Sequence, residues 1–150
     1  MFAVTLFLAA AANAQTARKS VGGAEVTGTF SRGFTGKFRG SMSQIKILAL
    51  GRGKLKIAFD LIYPYVDGAG ELSANVGQVT GEAAISGDTA VYSGEEYGQC
   101  KITIRFVRPG QIKVMQDGDS SGCGFGHNVT ADGVYKKTSR AKPKFEDNYE

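Results

Sequence analysis

The sequence predicts one all-β domain, a small antiparallel β-barrel or sandwich of about seven to nine strands with one disulfide. Apolar residues recur at every second position along most of the chain, which is the period of a strand with one buried face. Glycine is the commonest residue, with 21 copies against 3 prolines, and this composition suits tight turns in an ordered chain. No segment has the apolar spacing of an amphipathic helix.

The strands can be placed from this alternation. Residues 54–63 and 101–106 alternate most clearly between apolar and polar side chains. After the second of these strands, Pro109 and Gly110 suit the central positions of a type II turn, which returns the chain into residues 112–114. The remaining strands are predicted over residues 45–50, 72–76, 82–85 and 89–92, with outer or closing strands over 26–30 and 129–135.

The amino-terminal residues have the features of an export signal. Residues 2–12 are apolar except for Thr5, and Ala12-Asn13-Ala14 is a small-x-small cleavage pattern. The apolar run is too short to span a bilayer of roughly 30 Å as a helix, so we expect no transmembrane segment. No lysine or arginine precedes the run, which is atypical of such signals. We therefore expect a periplasmic or secreted protein.

This interpretation divides the chain into four segments. They are a signal peptide over residues 1–14, a flexible leader over 15–24, a single β domain over 25–137 and a charged tail over 138–150. About 135 residues remain after cleavage, which is enough for one domain with a hydrophobic core.

Cys100 and Cys123 are the only cysteines. In an exported protein such a pair indicates a structural disulfide, which stabilises by about 3 kcal/mol in the chain-entropy model. Two free thiols or half of a metal site are the alternatives. Zinc normally takes four ligands and His127 is the only nearby nitrogen ligand, so we expect no metal and no cofactor.

The net charge of +4 is unevenly distributed along the chain. Residues 18–56 carry +8, residues 57–100 carry −7 without any lysine or arginine, and residues 101–150 carry +3. Segregated charge can steer an oppositely charged partner, provided that the segments stay apart in the fold. The sequence does not decide this, because strands distant in sequence often lie side by side.

Three further patterns suggest sites but have simpler interpretations. Residues 30–39 interleave aromatic, basic and glycine residues. Export argues against a nucleic-acid partner, so these residues are best interpreted as an irregular edge strand with core rings. Residues 117–122 match the opening of a calcium loop, but Asn128 replaces the expected bidentate glutamate, which favours a polar turn. Asn128 also begins an N-glycosylation acceptor, Asn-Val-Thr, if the source is eukaryotic.

Catalysis has little support in the sequence. His127 is the only histidine, and no nucleophile stands at a recognisable elbow. Glu95 and Glu96 would point in different directions in an extended chain. We therefore expect a protein that is not an enzyme and has no catalytic residues.

Two resemblances are carried by short motifs. Residues 81–137 contain Cys123-Gly124-Phe125-Gly126 followed by Ala131-Asp132-Gly133-Val134-Tyr135, and resemble short exported bacterial β-rich proteins of mostly unassigned function. This resemblance bears on fold more than on activity. Ser93-Gly94-Glu95-Glu96-Tyr97 is similar to the Ser-Gly-x-x-Tyr loop that some periplasmic lysozyme inhibitors insert into the lysozyme cleft.

The second resemblance implies a function. Ser93 would hydrogen-bond to catalytic carboxylates, and Tyr97 would supply a rigid contact. The motif lies in the most acidic segment, which suits a basic partner such as a lysozyme or another envelope-active protein. The simpler interpretation is a loop that only connects two strands. Two other functions are a carrier or sensor that holds a small apolar ligand inside a barrel, and a module that binds an anionic envelope polymer through residues 30–39.

Overall fold

The computed structural model describes Arg18 and residues 20–146, and the predicted signal peptide lies outside these residues. Eight antiparallel strands follow one another in chain order and close into a barrel, with the last strand paired to the first. They are β1 (Gly28–Gly33), β2 (Met42–Gly51), β3 (Lys54–Val66), β4 (Leu72–Ser86), β5 (Thr89–Gly94), β6 (Cys100–Arg108), β7 (Gln111–Asp117) and β8 (Gly133–Ser139). A four-residue helix, α1 (Gly23–Val26), precedes them, and Gly36–Phe38 and Ser121–Cys123 form 3₁₀ turns.

The all-β prediction is confirmed, and closure into a barrel decides between the two predicted architectures. The predicted hairpin at Pro109 and Gly110 is also confirmed, since Arg108 pairs with Gln111 across it. Within the described residues, no helix is long and apolar enough to cross a membrane.

The strand boundaries differ from the predicted ones mainly in β4. The sequence suggested two strands, over residues 72–76 and 82–85, because glycines interrupt the pattern. The structure has one strand of 15 residues, in which Gly77 pairs with Leu61 and Gly81 with Ile57. The closing strand β8 also starts later than predicted, at Gly133, because residues 118–132 form a long connection.

Aromatic rings fill the barrel interior at two levels. Phe30 on β1 and Phe106 on β6 are not on adjacent strands, yet their ring centroids lie 6.2 Å apart in an edge-to-face contact. Phe59 on β3 makes a similar contact with Tyr92 on β5, at 5.7 Å. Tyr135 is fully buried and donates a hydrogen bond to the carbonyl of Ala131, and burial raises the pKa of its hydroxyl to about 12.

Two glycines on the inner face of β4 leave room for aromatic rings, those of Phe125 and Tyr92. A Cβ atom on Gly77 would lie 2.6 Å from Cδ1 of Phe125 and 2.8 Å from Cγ1 of Val129. A Cβ atom on Gly81 would lie 2.7 Å from Cε2 of Tyr92. Because neither position has a side chain, the two rings pack directly on the strand backbone.

The two ends of the barrel differ. One end has the tight turns at residues 51–53, 87–88 and 109–110. The other end has the longer connections, over residues 34–41, 67–71, 95–99 and 118–132. At this long-loop end the β3–β4 hairpin continues beyond β2, whose pairing with β3 stops at Asp60. We call this extension, residues 61–66 with 72–77, the arm.

The outer side of the arm is apolar. The exposed fractions of Val66, Leu72 and Val76 are 39%, 64% and 57%. The alternation of residues 72–76 predicted a strand but did not predict that these apolar side chains would face outward. A period of two identifies two faces but does not say which one is buried.

The amino-terminal residues attach to the tight-turn end through Asp88. The main-chain nitrogen of Arg18 donates to Oδ2 of Asp88 at 3.1 Å, and the Arg18 guanidinium pairs with Glu25. The Thr89 hydroxyl and Arg105 also donate to this buried carboxylate. Hydrogen bonds from Arg18, then Thr89 and Arg105, lower the pKa of Asp88 below its ordinary value.

The described part of the carboxy-terminal tail crosses the outer face of β2 and β3. Lys46 donates to the carbonyl of Lys144 at 3.3 Å, and the ammonium of Lys56 lies 4.7 Å from the centre of the Phe145 ring. Strand β8 itself continues to Ser139, two residues into the segment predicted as the tail.

The packing on β4 predicts the effect of a single methyl group. Gly77→Ala should lower the free energy of unfolding by about 1–3 kcal/mol, because the new Cβ would overlap Phe125 and Val129. Urea titration of both proteins measures this difference. Gly68→Ala is the matched control, because no atom lies within 4 Å of its Cβ position. Equal stability of Gly77→Ala and the wild type would contradict the packing argument.

The surroundings of Asp88 predict a dependence of stability on pH. A carboxylate with a lowered pKa in the folded state stabilises the fold above its unfolded pKa, near 3.8, and loses this effect as pH falls through the folded pKa. Asp88→Asn should therefore be less stable than the wild type at pH 7, and the difference should shrink below pH 4. Urea midpoints measured between pH 7 and pH 2 test this, with Glu71→Gln as an exposed control. A constant difference across that range would contradict it.

Candidate binding site

The five residues of the Ser-Gly-x-x-Tyr motif lie together on one exposed connection at the long-loop end. Ser93 and Gly94 are the last residues of β5, paired with Lys101 and Cys100 of β6. Glu95, Glu96 and Tyr97 follow in the turn, and all three are exposed, with Tyr97 at 63%. The structure therefore places the motif where a partner can reach it.

The predicted disulfide is confirmed and lies directly behind this connection. Cys100 starts β6, Cys123 ends a 3₁₀ turn, and both side chains are buried. Cys123 lies in the connection between β7 and β8, where the chain forms a polar turn before β8 begins.

The Tyr97 ring packs on the backbone of Gly124, next to the disulfide. Gly124 has a φ of +71°, and a Cβ atom there would overlap the ring. Gly98 approaches Gly122 in the same way, since a Cβ on Gly98 would lie 3.3 Å from the Gly122 Cα atom. The glycines let the two connections touch, and we call residues 93–99 the braced loop.

The disulfide-bearing connection is in turn held on the arm. The main-chain nitrogen of Gly126 donates to the carbonyl of Val76 at 2.8 Å. The Asn75 side chain donates to the carbonyl of His127 at 2.9 Å, and Phe125 packs on Gly77. The braced loop is therefore connected to the barrel both through β5 and β6 and through this second connection.

The residues considered for calcium form a turn. Asp119 accepts hydrogen bonds from the Ser121 hydroxyl at 2.6 Å and from the main-chain nitrogen of Gly122 at 3.1 Å. These bonds, with the Ser121 hydroxyl first, lower the pKa of Asp119. The carboxylate thereby stabilises the 3₁₀ turn that carries Cys123, which agrees with the interpretation of this segment as a polar turn.

A surface depression adjoins the braced loop. It has a volume of about 360 Å³ and is lined by Ser93, Glu95, Gln99, Lys101 and Asp117. It lies on the outer face of β5, β6 and β7, where Lys101 pairs with Ser93 on one side and Asp117 on the other. Three residues of the motif, Ser93, Gly94 and Glu95, therefore border a concave surface as well as an exposed turn.

Tyr92 supports the braced loop and was not singled out from the sequence. Its ring is 8% exposed, between Phe59 and Gly81, and its hydroxyl lies close to Gly94. Burial, and to a smaller degree the charge of Glu96, raise the pKa of this hydroxyl. The alternation of Ala90 and Tyr92 identifies the tyrosine as a core residue. Its contact with Gly81 of β4 could not be predicted from the residues next to it in sequence.

The acidic residues stay together in the fold. Residues 57–100 build most of β3, all of β4 and β5, and the braced loop, which are neighbours around the barrel. Their exposed carboxylates are those of Asp60, Glu71, Glu82, Glu95 and Glu96, whereas Asp88 is buried. We call this surface the acidic sector, and its border is basic, because Lys56 pairs with Glu82 and Lys101 pairs with Ser93 of the candidate site.

The basic aromatic segment differs from its prediction. The interpretation of residues 30–39 as an edge strand is wrong, because β1 pairs with both β2 and β8 in the closed barrel. Only Phe30 is fully buried, and Phe34 and Phe38 are half-buried in the following connection. Arg32 stacks on the Phe34 ring at 5.6 Å, and Lys37 lies 5.4 Å from the centre of the Phe38 ring.

Removal of the disulfide should destabilise the fold. Cys100→Ala/Cys123→Ala should lower the free energy of unfolding by about 3 kcal/mol, because the bond closes a loop between residues 23 positions apart. Denaturant titration of the double variant measures the loss. The wild type under a reducing agent serves as the control for the effect of the two alanines. Unchanged stability in both would contradict a structural role.

Comparisons with protein-family models, with curated proteins and with solved structures gave no significant match to this chain.

Proposed function

We propose that this protein is an exported, non-catalytic binding protein that inhibits a lysozyme by inserting residues 93–97 into the substrate cleft. The observation that carries the proposal is the packing of Tyr97 on Gly124 beside the Cys100–Cys123 disulfide. A loop that is held in one shape before binding loses less conformational entropy when a partner closes around it.

The chemistry of the motif suits a cleft that contains carboxylic acids. The Ser93 hydroxyl is exposed and can donate a hydrogen bond to a carboxylate. Tyr97 offers a large ring with few rotatable bonds, of the kind that dominates binding energy in protein interfaces. Glu95 and Glu96 add negative charge beside both, which favours encounter with a basic enzyme.

The two alternative functions have less support. A carrier of a small apolar ligand needs an open interior, whereas the Phe30–Phe106 and Phe59–Tyr92 contacts fill the barrel at two levels. A polymer-binding module based on residues 30–39 would use three cations, of which Arg32 is half-buried against the Phe34 ring and only Lys37 and Arg39 are exposed.

A lysozyme inhibition titration tests the proposal. The protein without residues 1–14 should inhibit at least one of the c-, g- and i-type enzymes. Ser93→Ala/Tyr97→Ala should weaken inhibition by about 30-fold or more, the effect of removing an interface hot spot of about 2 kcal/mol. Gly124→Ala should also weaken inhibition, because it displaces Tyr97 without changing the motif itself.

The matched control is Ser86→Ala/Tyr63→Ala, which removes an exposed hydroxyl and an exposed ring outside the braced loop. It should inhibit like the wild type, and circular dichroism should show all variants folded. Absence of inhibition towards all three enzyme types would refute the proposal. Equal losses in the control and the motif variant would refute the role of residues 93–97.

A further inference from the structure

The depression beside the braced loop continues into a second depression at the long-loop end. The first, of about 360 Å³, is bordered on its far side by Asp117 and Gly118. The second has a volume of about 500 Å³ and lies over the connection between β7 and β8, where Gly118, His127 and Asn128 line it. Gly118 lines both depressions and has no side chain to separate them. The two therefore form one groove across the ends of β5, β6 and β7, which we call the polar groove.

The polar groove is lined by side chains that are free to bind a ligand. Six of them are exposed, and none makes a side-chain hydrogen bond or ion pair with the described part of the chain. They are Ser93, Gln99, Lys101, Asp117, His127 and Asn128. Together they offer a hydroxyl, two amides, an ammonium, a carboxylate and an imidazole, so the groove presents both donors and acceptors along its length.

Other polar side chains fix the shape of the groove. Oε1 of Gln116 accepts a hydrogen bond from the main-chain nitrogen of Ala131 at 2.9 Å, and its Nε2 donates to the carbonyl of Asp119 at 3.2 Å. The Asp119 carboxylate holds the 3₁₀ turn that follows. Asn128 has a φ of +61°, a left-handed conformation that asparagine adopts more readily than most residues. A groove held in one shape loses less entropy when a ligand binds.

The spacing of the free side chains indicates the kind of chain that fits. Ser93, Lys101 and Asp117 lie side by side on three adjacent strands, so about 4.8 Å separates each from the next. The rings of an extended β-1,4-linked pyranose chain repeat at nearly this spacing. An extended polypeptide presents side chains to one face only about every 6.8 Å, twice the strand rise, and therefore matches the row less well.

The charges along the polar groove indicate an uncharged ligand. Three carboxylates line it, those of Glu95, Asp117 and Asp119, against the single ammonium of Lys101. Phosphate, sulfate or carboxylate groups on a polymer would meet like charges there. Sugar hydroxyls carry no charge, and each can donate as well as accept a hydrogen bond, which suits a mixed row of carboxylate, ammonium and amide groups.

We propose that the polar groove binds an extended, uncharged β-1,4-linked oligosaccharide. Its hydroxyl groups hydrogen-bond to Ser93, Lys101 and Asp117 in one half of the groove and to His127 and Asn128 in the other. The second half lies outside residues 93–97, so the inference stands whether or not the protein inhibits a lysozyme.

Four saccharides serve as probes. Cellotetraose and N-acetylchitotetraose are extended β-1,4-linked tetramers, and titration calorimetry against the full domain should detect binding of at least one of them. Maltotetraose has the same length but an α-1,4-linked, coiled shape, so it should bind at least tenfold more weakly. N-acetylglucosamine, a single ring, should also bind at least tenfold more weakly, because it cannot reach both halves. NMR should place the bound tetramer at residues 93, 101, 117–118 and 127–128.

Two variants test the protein side. Asp117→Ala and Asn128→Gly should each weaken binding of the tetramer about fivefold, the effect of one lost hydrogen bond, and the double variant should weaken it further. Glycine suits the positive φ at position 128, so the second variant removes the amide without straining the main chain. Glu71→Ala, which removes a carboxylate at the tip of the arm, is the control and should bind like the wild type. Circular dichroism should show all variants folded.

Several results would overturn the inference. No binding of either β-1,4-linked tetramer would exclude it, as would equal binding of maltotetraose. Binding that both Asp117→Ala and Asn128→Gly leave unchanged would place the saccharide elsewhere on the protein. NMR shifts at these residues with a blocked serine–asparagine hexapeptide, but with none of the saccharides, would assign the groove to a polypeptide. Should a variant fail to fold, the comparison of the tetramers with maltotetraose decides the question alone.

Discussion

The contact of two aromatic rings with a glycine face determines the long-loop end of this barrel. Phe125 packs on Gly77 and Tyr92 packs on Gly81, and neither position of β4 has room for a methyl group. The first ring fastens the connection that carries Cys123, and the second lies under the last residues of β5. The disulfide and the Tyr97–Gly124 contact then join these two connections. Without the two glycines, Phe125 and Tyr92 could not pack on β4, and the braced loop would be held by the β5–β6 pairing and the disulfide alone.

The braced loop and the stretch of β4 that does not pair with β5, residues 77–82, have one common origin. Strand β5 pairs with β4 only as far as Tyr92, whose ring turns inward onto Gly81. Beyond that residue β5 follows β6 to the disulfide, and β4 continues alone into the arm. The divergence thus frees main-chain groups on β4 and also places residues 93–97 at the surface. If β4 and β5 paired along their full length, the barrel would have neither feature.

Local patterns in the sequence predict the parts of the fold that depend on neighbouring residues. The alternation in residues 54–63 and the hairpin at Pro109 and Gly110 required only the period of two and turn chemistry. The continuity of β4 could not be predicted in this way, because Gly77 is explained by Phe125, 48 positions later. The motif at residues 93–97 was visible in the sequence, but its support by Gly124 depends on a contact between separate connections. Closure into a barrel likewise depends on β1 meeting β8.

The meander topology explains why the charge pattern of the sequence survives in the fold. Each strand pairs with its neighbours in sequence, so a run of acidic residues along the chain stays on adjacent strands, with Lys54 and Lys56 of β3 at its border. A topology that interleaved distant strands would have mixed residues 57–100 with the basic segments on either side. The net charge of +4 is consequently a poor guide to the partner. Charges are screened over about 8 Å at physiological ionic strength, so a partner at the long-loop end responds mainly to the nearest carboxylates. At that end the exposed carboxylates include those of Glu95 and Glu96, which attract basic groups even though the whole chain is basic.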